Sequence, residues 1–136
     1  MSKLFVDTLF VVALVSHRDQ YHERAIELAK EYESYPLLTT NSVPLEIGNS
    51  LARNFKAQAI QIINEFRKSD EVEIVHLSSS LFDKAYQIYQ DYQDKEWGLV
   101  DCVSFVVMRE ANIDSALTFD QHFVQAGFKA LMRVEE

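Results

Sequence analysis

The chain has 136 residues, a formal net charge of −8, and hydrophobic side chains at 48% of its positions. This length and composition predict a single domain, residues 1–136, with an apolar core that needs no disulfide. Cys102 is the only cysteine, which excludes a disulfide framework or a cysteine-rich zinc site within the chain and favours a reducing, cytoplasmic compartment. The N-terminal apolar run is interrupted by Asp7, so we expect neither membrane insertion nor secretion. The acidic balance argues against a general nucleic-acid-binding surface, which is usually basic.

The first third of the chain is predicted to alternate strands and helices. Residues 3–6 form a short buried strand that ends at Asp7, and a first helix follows it. Apolar residues recur at helical spacing over residues 21–35, and Pro36 ends that helix because proline cannot continue it. Residues 37–40 then read as a second strand.

The middle of the chain continues this alternation. Asn41 or Ser42 can cap the helix that follows the second strand. A further helix is predicted over residues 56–68 and a third strand over residues 72–77. Residues 78–80 are all serine and can cap the next helix, whose apolar side we expect to be buried: Leu81 or Phe82, Ala85, Ile88, Tyr89 and Tyr92.

The last third is predicted to contain the central helix of the fold. Residues 93–98 form a polar loop, and the helix over residues 100–111 is almost entirely apolar, which indicates burial on all sides. A strand over residues 115–118 ends two residues before Asp120, and a short helix and a turn lead to a last strand over residues 129–134. Strands alternating with helices predict an α/β fold with a mainly parallel sheet covered on both faces.

Four carboxylates are predicted to meet at one edge of this sheet. Asp7 and Asp120 follow strands, Asp101 opens the central helix, and Glu46 lies in the first turns of the helix after the second strand. Ligands bind at this carboxyl-end edge in open parallel sheets. Two carboxylates about 4 Å apart repel by roughly 4 kcal/mol at an effective dielectric near 20, so a crowded group takes up protons or divalent cations. Oxygen ligands alone suit Mg²⁺ or Mn²⁺.

These acids also have a simpler interpretation. An Asp just before a helix is most often an N-cap, and capping alone could explain Asp7, Asp101 and Asp120. Glu46 could be an ordinary surface residue. The metal site is favoured by the agreement of all four positions on one edge of the sheet.

Several residues outside this quartet are weaker candidates. His22 is expected to make a structural hydrogen bond, and His122 is expected to be exposed at a helix start. Trp97 is expected to pack over the loop, with base stacking as the alternative. Side chains such as Arg53 and Lys56 at helix ends are usually only solvated. Because these two lie near the Glu46 helix, they are also the best candidates for phosphate contacts.

The sequence resembles the PIN-domain family along nearly its whole length. The motifs occur in the family's order, and each is weak alone, whereas the ordered set is fairly specific. They are FVDT at residues 5–8, PLEIGNSL at 44–51, LVDCVSFVVM at 99–108 and LTFDQHF at 117–123. The segment DQYHERA at residues 19–25 is similar to the pattern that opens the second helix in VapC-like members.

This resemblance implies an α/β/α sandwich and a metal-dependent endoribonuclease. It implies that Mg²⁺ or Mn²⁺ is held by the acids of the four motifs and that the Thr118 hydroxyl supports the cluster: Asp7, Glu46, Asp101 and Asp120. Leu9 departs from the family, where many relatives carry Ser or a small residue, so a hydroxyl contact at that position is in doubt. The alternative is a non-catalytic or regulatory PIN-like module that binds protein or RNA. The complete quartet favours the enzyme.

The resemblance to VapC-like toxins also implies an RNA substrate and a small antitoxin that blocks the site. A crowded carboxylate site attracts cationic groups, so an inhibitor could insert an Arg or Lys among the acids. Phe10, Val11 and Leu14 of the first helix offer an apolar groove or dimer face, although we expect at least half of them to pack inside. The prediction is therefore a homodimer bound by an antitoxin with a basic, amphipathic tail.

Overall fold

A central sheet of five parallel strands organises the computed structural model, which describes residues 2–133. The strands are β1 (Leu4–Val6), β2 (Leu37–Thr40), β3 (Val72–Val75), β4 (Ser115–Leu117) and β5 (Lys129–Ala130). The helices are α1 (Thr8–Val15), α2 (His22–Glu31), α3 (Ser42–Leu51), α4 (Lys56–Lys68), α5 (Ser79–Asp91), α6 (Leu99–Glu110) and α7 (Gln121–Gln125). This is the α/β/α sandwich that was predicted.

The strand order β3-β2-β1-β4-β5 places β1 at the centre of the sheet. The chain proceeds from β1 through β2 to β3 on one side, and then crosses to β4 and β5 on the other. The direction of winding therefore reverses between β1 and β4, where Val6 pairs with Leu117. In open α/β sheets this reversal opens a crevice beyond the carboxyl ends of the two strands, where ligands bind. Asp7 and Thr118 are the first residues after these paired positions.

Helix α6 is the most deeply buried helix of the described chain, because residues 102–108 are all buried. Its Phe105 ring is fully buried and contacts the rings of Trp97, Phe123 and Phe128, with centroids 5.1, 5.1 and 5.7 Å apart. Burial on every side explains why this segment has almost no polar residues. The packing also holds the first turn of α6 in place, and with it Asp101.

Four predicted strands are shorter than expected, β1 and β4 by one residue each and β3 and β5 by more. β3 ends at Val75, because the backbone N–H of Leu77 donates to Asn41 Oδ1 at 2.9 Å. Asn41 therefore ties β3 to the start of α3, and its side chain does not cap α3 as predicted. β5 comprises only Lys129–Ala130 and is followed by a turn, while the predicted end of this strand at Val134 lies outside the described residues.

The predicted apolar side of α5 is only partly buried. Leu81, rather than Phe82, and Ala85 are buried, and Ile88 packs against the core. The prediction was wrong for Tyr89 and Tyr92, which are 46% and 44% exposed. Positions 81, 85 and 88 share one narrow face of the helix, whereas position 89 lies about 100° further round than 88. Position 92 follows the last residue of the helix.

The apolar residues of α1 mostly pack into the core. Phe10 and Val11 are buried, and the partly buried Leu14 packs against the core. They therefore do not form the open groove or dimer face that was considered, which agrees with the expectation that at least half of them pack inside. No helix among residues 2–133 is long and apolar enough to cross a membrane.

Candidate metal centre

Asp7 lies at the carboxyl end of β1, in the crevice where the sheet reverses its winding. Asp7 is 6% exposed, and its side chain does not cap α1 although the residue directly precedes that helix. Instead, the fully buried Thr118 hydroxyl donates to Asp7 Oδ2 at 2.8 Å. The same hydroxyl oxygen accepts the backbone N–H of Asp120 at 3.1 Å. Thr118 thus joins two of the predicted acids, as the resemblance implied.

Glu46 reaches the same crevice from α3. The Thr8 hydroxyl, one residue after Asp7, donates to Glu46 Oε1 at 2.8 Å. Thr8 had no predicted role, and the predicted doubt concerned only a hydroxyl contact at position 9, where Leu9 has none to offer. The structure shows that Thr8 provides a hydroxyl contact beside the first acid. A Thr directly after the first motif Asp was the available signal.

Asp101 and Asp120 form the other side of the cluster, with His122 between them. His122 Nδ1 lies 3.1 Å from Asp101 Oδ2 and 3.4 Å from Asp120 Oδ1. One potential ligand atom from each of these three residues lies within 4.8 Å of the other two. His122 is 22% exposed at its side chain, so the prediction that it would be exposed at the helix start was wrong. Its proximity to Asp120 follows from its position in the first turn of α7, two residues after that acid.

Two of the acids also accept backbone hydrogen bonds at the starts of helices. Asp101 Oδ2 accepts the backbone N–H of Gly98 at 3.0 Å, and Asp120 Oδ1 accepts that of His122 at 2.9 Å. The N-cap interpretation is therefore correct for Asp120, and it is wrong for Asp7, which makes no side-chain cap hydrogen bond. Asp101 is not the N-cap but the third residue of α6, and it accepts from the N-cap residue Gly98. These hydrogen bonds hold Asp101 and Asp120 in defined positions at the starts of their helices.

The cluster is electrostatically unfavourable without a cation. The pKa of Asp7 is raised from 3.8 to about 7. Burial is the largest cause, the hydrogen bond from Thr118 lowers the pKa in part, and the negative charges of the other three acids raise it. Burial is also the main cause of the raised pKa of Asp101. The negative charges of the other three acids act on Asp7 because these carboxylates lie near it in the fold.

The chemistry of this donor set fits a divalent cation. Four carboxylates share the crevice, and in the described part of the chain their ion pairs involve His122 but no Lys or Arg. Crowded carboxylates without Lys or Arg partners, one of them buried, either hold protons or bind metal. Oxygen ligands of this kind suit hard divalent ions.

The remaining candidates are placed as follows. Arg53 and Lys56 are exposed around the start of α4. His22 Nδ1 lies 2.8 Å from the Ala13 carbonyl oxygen, the structural hydrogen bond that was expected. Trp97 is 6% exposed and its Nε1 donates to Gln125 Oε1 at 3.0 Å. Its packing role is confirmed, and so deeply buried an indole has no free face for base stacking.

The family model described as the PIN domain matches residues 4–129. The chain therefore belongs to the PIN-domain family, whose nucleases generally use a divalent metal ion.

Its relatives include a protein named 23S rRNA-specific endonuclease VapC20, from two strains of Mycobacterium tuberculosis. This chain and VapC20 are 33% identical over 127 residues, which cover 92% of this chain and 95% of VapC20. The crystal structure of VapC20, described as a sarcin-ricin loop cleaving toxin, superposes with a TM-score of 0.82 at 32% identity. That match covers 93% of this chain and 96% of the VapC20 chain. The predicted fold and the resemblance to VapC-like toxins are confirmed.

Proposed function

We propose that this protein is a metal-dependent endoribonuclease that hydrolyses RNA phosphodiester bonds and is the toxin of a toxin–antitoxin pair. The observation that carries the proposal is the group of four carboxylates at the reversal point of a PIN fold, which have no Lys or Arg partner among residues 2–133. The 33% identity to an rRNA endonuclease supports the substrate class. A non-catalytic module is disfavoured, since such a protein would have no need to keep all four acids in one crevice.

The four acids are the proposed ligands of the metal ion. Asp7, Asp101 and Asp120 hold Mg²⁺ or Mn²⁺, and Glu46 does so directly or through water. Such an ion activates water and neutralises charge on a phosphodiester. Thr118 and Thr8 hold two of these carboxylates in place through the hydroxyl contacts described above.

Two cationic side chains near α3 and α4 are proposed to bind the substrate. Arg53 and Lys56 are exposed and are proposed to contact RNA phosphates, which would otherwise be repelled by a chain of net charge −8. Cys102 is not a nucleophile, because it is buried and its pKa is raised to about 11, mainly by that burial.

The proposed partners are a second copy of the chain and a small antitoxin in the cytoplasm. With α1 packed inward, the exposed apolar surface that remains for a partner includes an aromatic stripe on α5. Phe82, Tyr86 and Tyr89 form this stripe and are 40%, 44% and 46% exposed. Adjacent rings are 6.0 and 6.3 Å apart and nearly parallel. An antitoxin would silence the enzyme by placing an Arg or Lys among the acids.

Cleavage of total RNA and of intact ribosomes by the purified protein tests the proposed activity. We expect discrete cleavage with Mg²⁺ and none with a chelator or with Asp7→Asn. Asp70→Asn, an exposed acid in a turn before β3, is the matched control and should cleave normally. Full Mg²⁺-dependent activity of Asp7→Asn would contradict the proposed site, and no cleavage of any RNA by the wild type would contradict the function.

A further inference from the structure

We propose that His122 is a nitrogen ligand of the metal centre and makes the centre favour first-row transition ions over Mg²⁺. The inference rests on the proposed function, because it adds a ligand to the same centre. It changes the expected chemistry, since the four acids alone offer only oxygen. The structure supports it through the position of one ring atom.

His122 Nδ1 is directed at the acids rather than at solvent. It lies 3.1 Å from Asp101 Oδ2 and 3.4 Å from Asp120 Oδ1. A bare nitrogen lone pair facing two carboxylate oxygens is repulsive, so this atom must carry a proton or share a cation with them. The position of this nitrogen, between two carboxylate oxygens, is one where a shared metal ion would be held.

The spacing of the three residues matches one shared ion. Ligand atoms at roughly 2.0–2.2 Å from a common ion lie no more than roughly 4.4 Å apart. The Asp101, Asp120 and His122 atoms are already within 4.8 Å of one another. Small side-chain rotations that move the ligand atoms by a few tenths of an ångström would therefore bring all three to one ion, and helices α6 and α7 need not move.

The local backbone keeps the ring in this position. The backbone N–H of His122 donates to Asp120 Oδ1 at 2.9 Å, and Asp101 Oδ2 accepts the N–H of Gly98 at 3.0 Å. Both carboxylates are thus anchored at the starts of their helices, and the imidazole is anchored beside one of them. A ligand set held in advance of binding loses little conformational entropy when the ion arrives.

Imidazole distinguishes between metals. Mg²⁺ prefers oxygen ligands and retains several waters, so one nitrogen adds little to its affinity. Imidazole suits first-row transition ions, whose affinity for nitrogen-containing sites rises along the series from Mn²⁺ through Co²⁺. A contribution from His122 should therefore be visible as the ratio of Co²⁺ affinity to Mg²⁺ affinity.

The test is calorimetric titration of the metal-free full chain with CoCl₂ and, separately, with MgCl₂. We expect His122→Asn to lower Co²⁺ affinity at least about tenfold, the scale of losses when metal sites are altered, with little change for Mg²⁺. His122→Asp, which replaces nitrogen by oxygen, should shift the ratio toward Mg²⁺. His17→Asn, an exposed histidine after the end of α1, is the matched control and should change neither affinity.

A second readout reports the nitrogen directly. Pulsed electron paramagnetic resonance of the Mn²⁺-loaded wild type should show coupling to one histidine nitrogen, and His122→Asn should lose it. Absence of that coupling in the wild type, or equal losses of Co²⁺ and Mg²⁺ affinity in His122→Asn, would overturn the assignment and leave a purely structural hydrogen bond. If the variants fail to fold, the wild-type spectrum alone decides. A wild type that binds no divalent ion would overturn the proposed function itself.

Discussion

At the scale of single residues, Asp7 is the buried acid of the cluster, and its pKa is raised to about 7. It is buried beside three other acids, and the Thr118 hydroxyl only partly offsets the effect on its pKa. Burying a carboxylate in this way disfavours its charged form. The metal-free protein should therefore become more stable when this charge is removed.

The first prediction concerns Asp7→Asn in the absence of metal. The folded pKa of about 7 exceeds the ordinary value of 3.8, so between these values the folded chain binds more protons than the unfolded chain. The contribution of Asp7 to the stability of the wild type therefore falls as the pH rises from about 4 through about 7, by at most about 4 kcal/mol. The variant lacks this loss, so thermal denaturation in a chelator should show a stabilisation at pH 8 that shrinks toward pH 4. A stabilisation independent of pH would contradict the account.

The second prediction concerns the hydroxyl that supports this carboxylate. Thr118→Val removes the hydrogen bond to Asp7 and the acceptor for the Asp120 N–H. Because ligands that lose such support bind metal about 10- to 100-fold more weakly, titration calorimetry should show a loss of at least about tenfold for Mg²⁺. Thr39→Val is the matched control, since this buried hydroxyl donates to the Val6 carbonyl oxygen and to no carboxylate. Equal losses in both variants would mean that only general stability had changed.

The sequence predicts which acids lie at the site, but it does not predict all of the side chains that hydrogen-bond to them. Asp7, Asp101 and Asp120 stand beside strand ends or helix starts, where local patterns place them. The contacts of Thr8 with Glu46, and of His122 with Asp101, join residues 38 and 21 positions apart. Such contacts depend on side-chain torsions across two packed elements, which no local pattern encodes.

At the scale of elements, the buried helix α6 positions Asp101. Its apolar run predicted burial on all sides, and residues 102–108 are buried. The boundaries of the edge strands were harder to predict, because β3 is ended by a side-chain contact from Asn41 rather than by a turn residue. The exposure of Tyr89 shows the limit of helical periodicity, since a pattern cannot say how wide a face the neighbouring helix covers.

The third prediction tests the role of α6. Phe105→Ala should lower the free energy of unfolding by about 3–5 kcal/mol, because it empties a fully buried ring site among three other aromatic rings. Urea denaturation provides the measurement. Phe82→Ala on α5, where the ring is 40% exposed, is the matched control and should cost far less. Similar costs for the two variants would show that α6 is not the centre of the core.

At the scale of the whole molecule, the order of strands explains why distant acids meet. The reversal of winding between β1 and β4 opens the crevice, and the motif acids lie at its rim. Alternating elements predicted the parallel sheet, whereas the strand order came only from the structure. The extent of one domain over residues 1–136 stays a prediction.

The fourth prediction concerns self-association. If the aromatic stripe of Phe82, Tyr86 and Tyr89 is the face of a homodimer, Tyr86→Lys should give a monomer with an unchanged circular dichroism spectrum. A charge buried in an apolar interface is strongly unfavourable. Light scattering coupled to size exclusion measures the mass. Asp83→Lys, a change of charge elsewhere on α5, serves as the control. A dimer that persists in Tyr86→Lys would place the interface on another surface.

The chemistry of the RNA ends tests the central claim most directly. Hydrolysis at a metal centre without a side-chain nucleophile should leave a 5′-phosphate and a 3′-hydroxyl at each cut. Ligation-based sequencing of the cleaved RNA, with and without prior end repair, distinguishes these ends from the products of internal 2′-hydroxyl attack. We predict direct ligation of the 5′-phosphate ends, dependent on Mg²⁺ and absent with Asp7→Asn. Fragments ending in 2′,3′-cyclic phosphates would contradict the account.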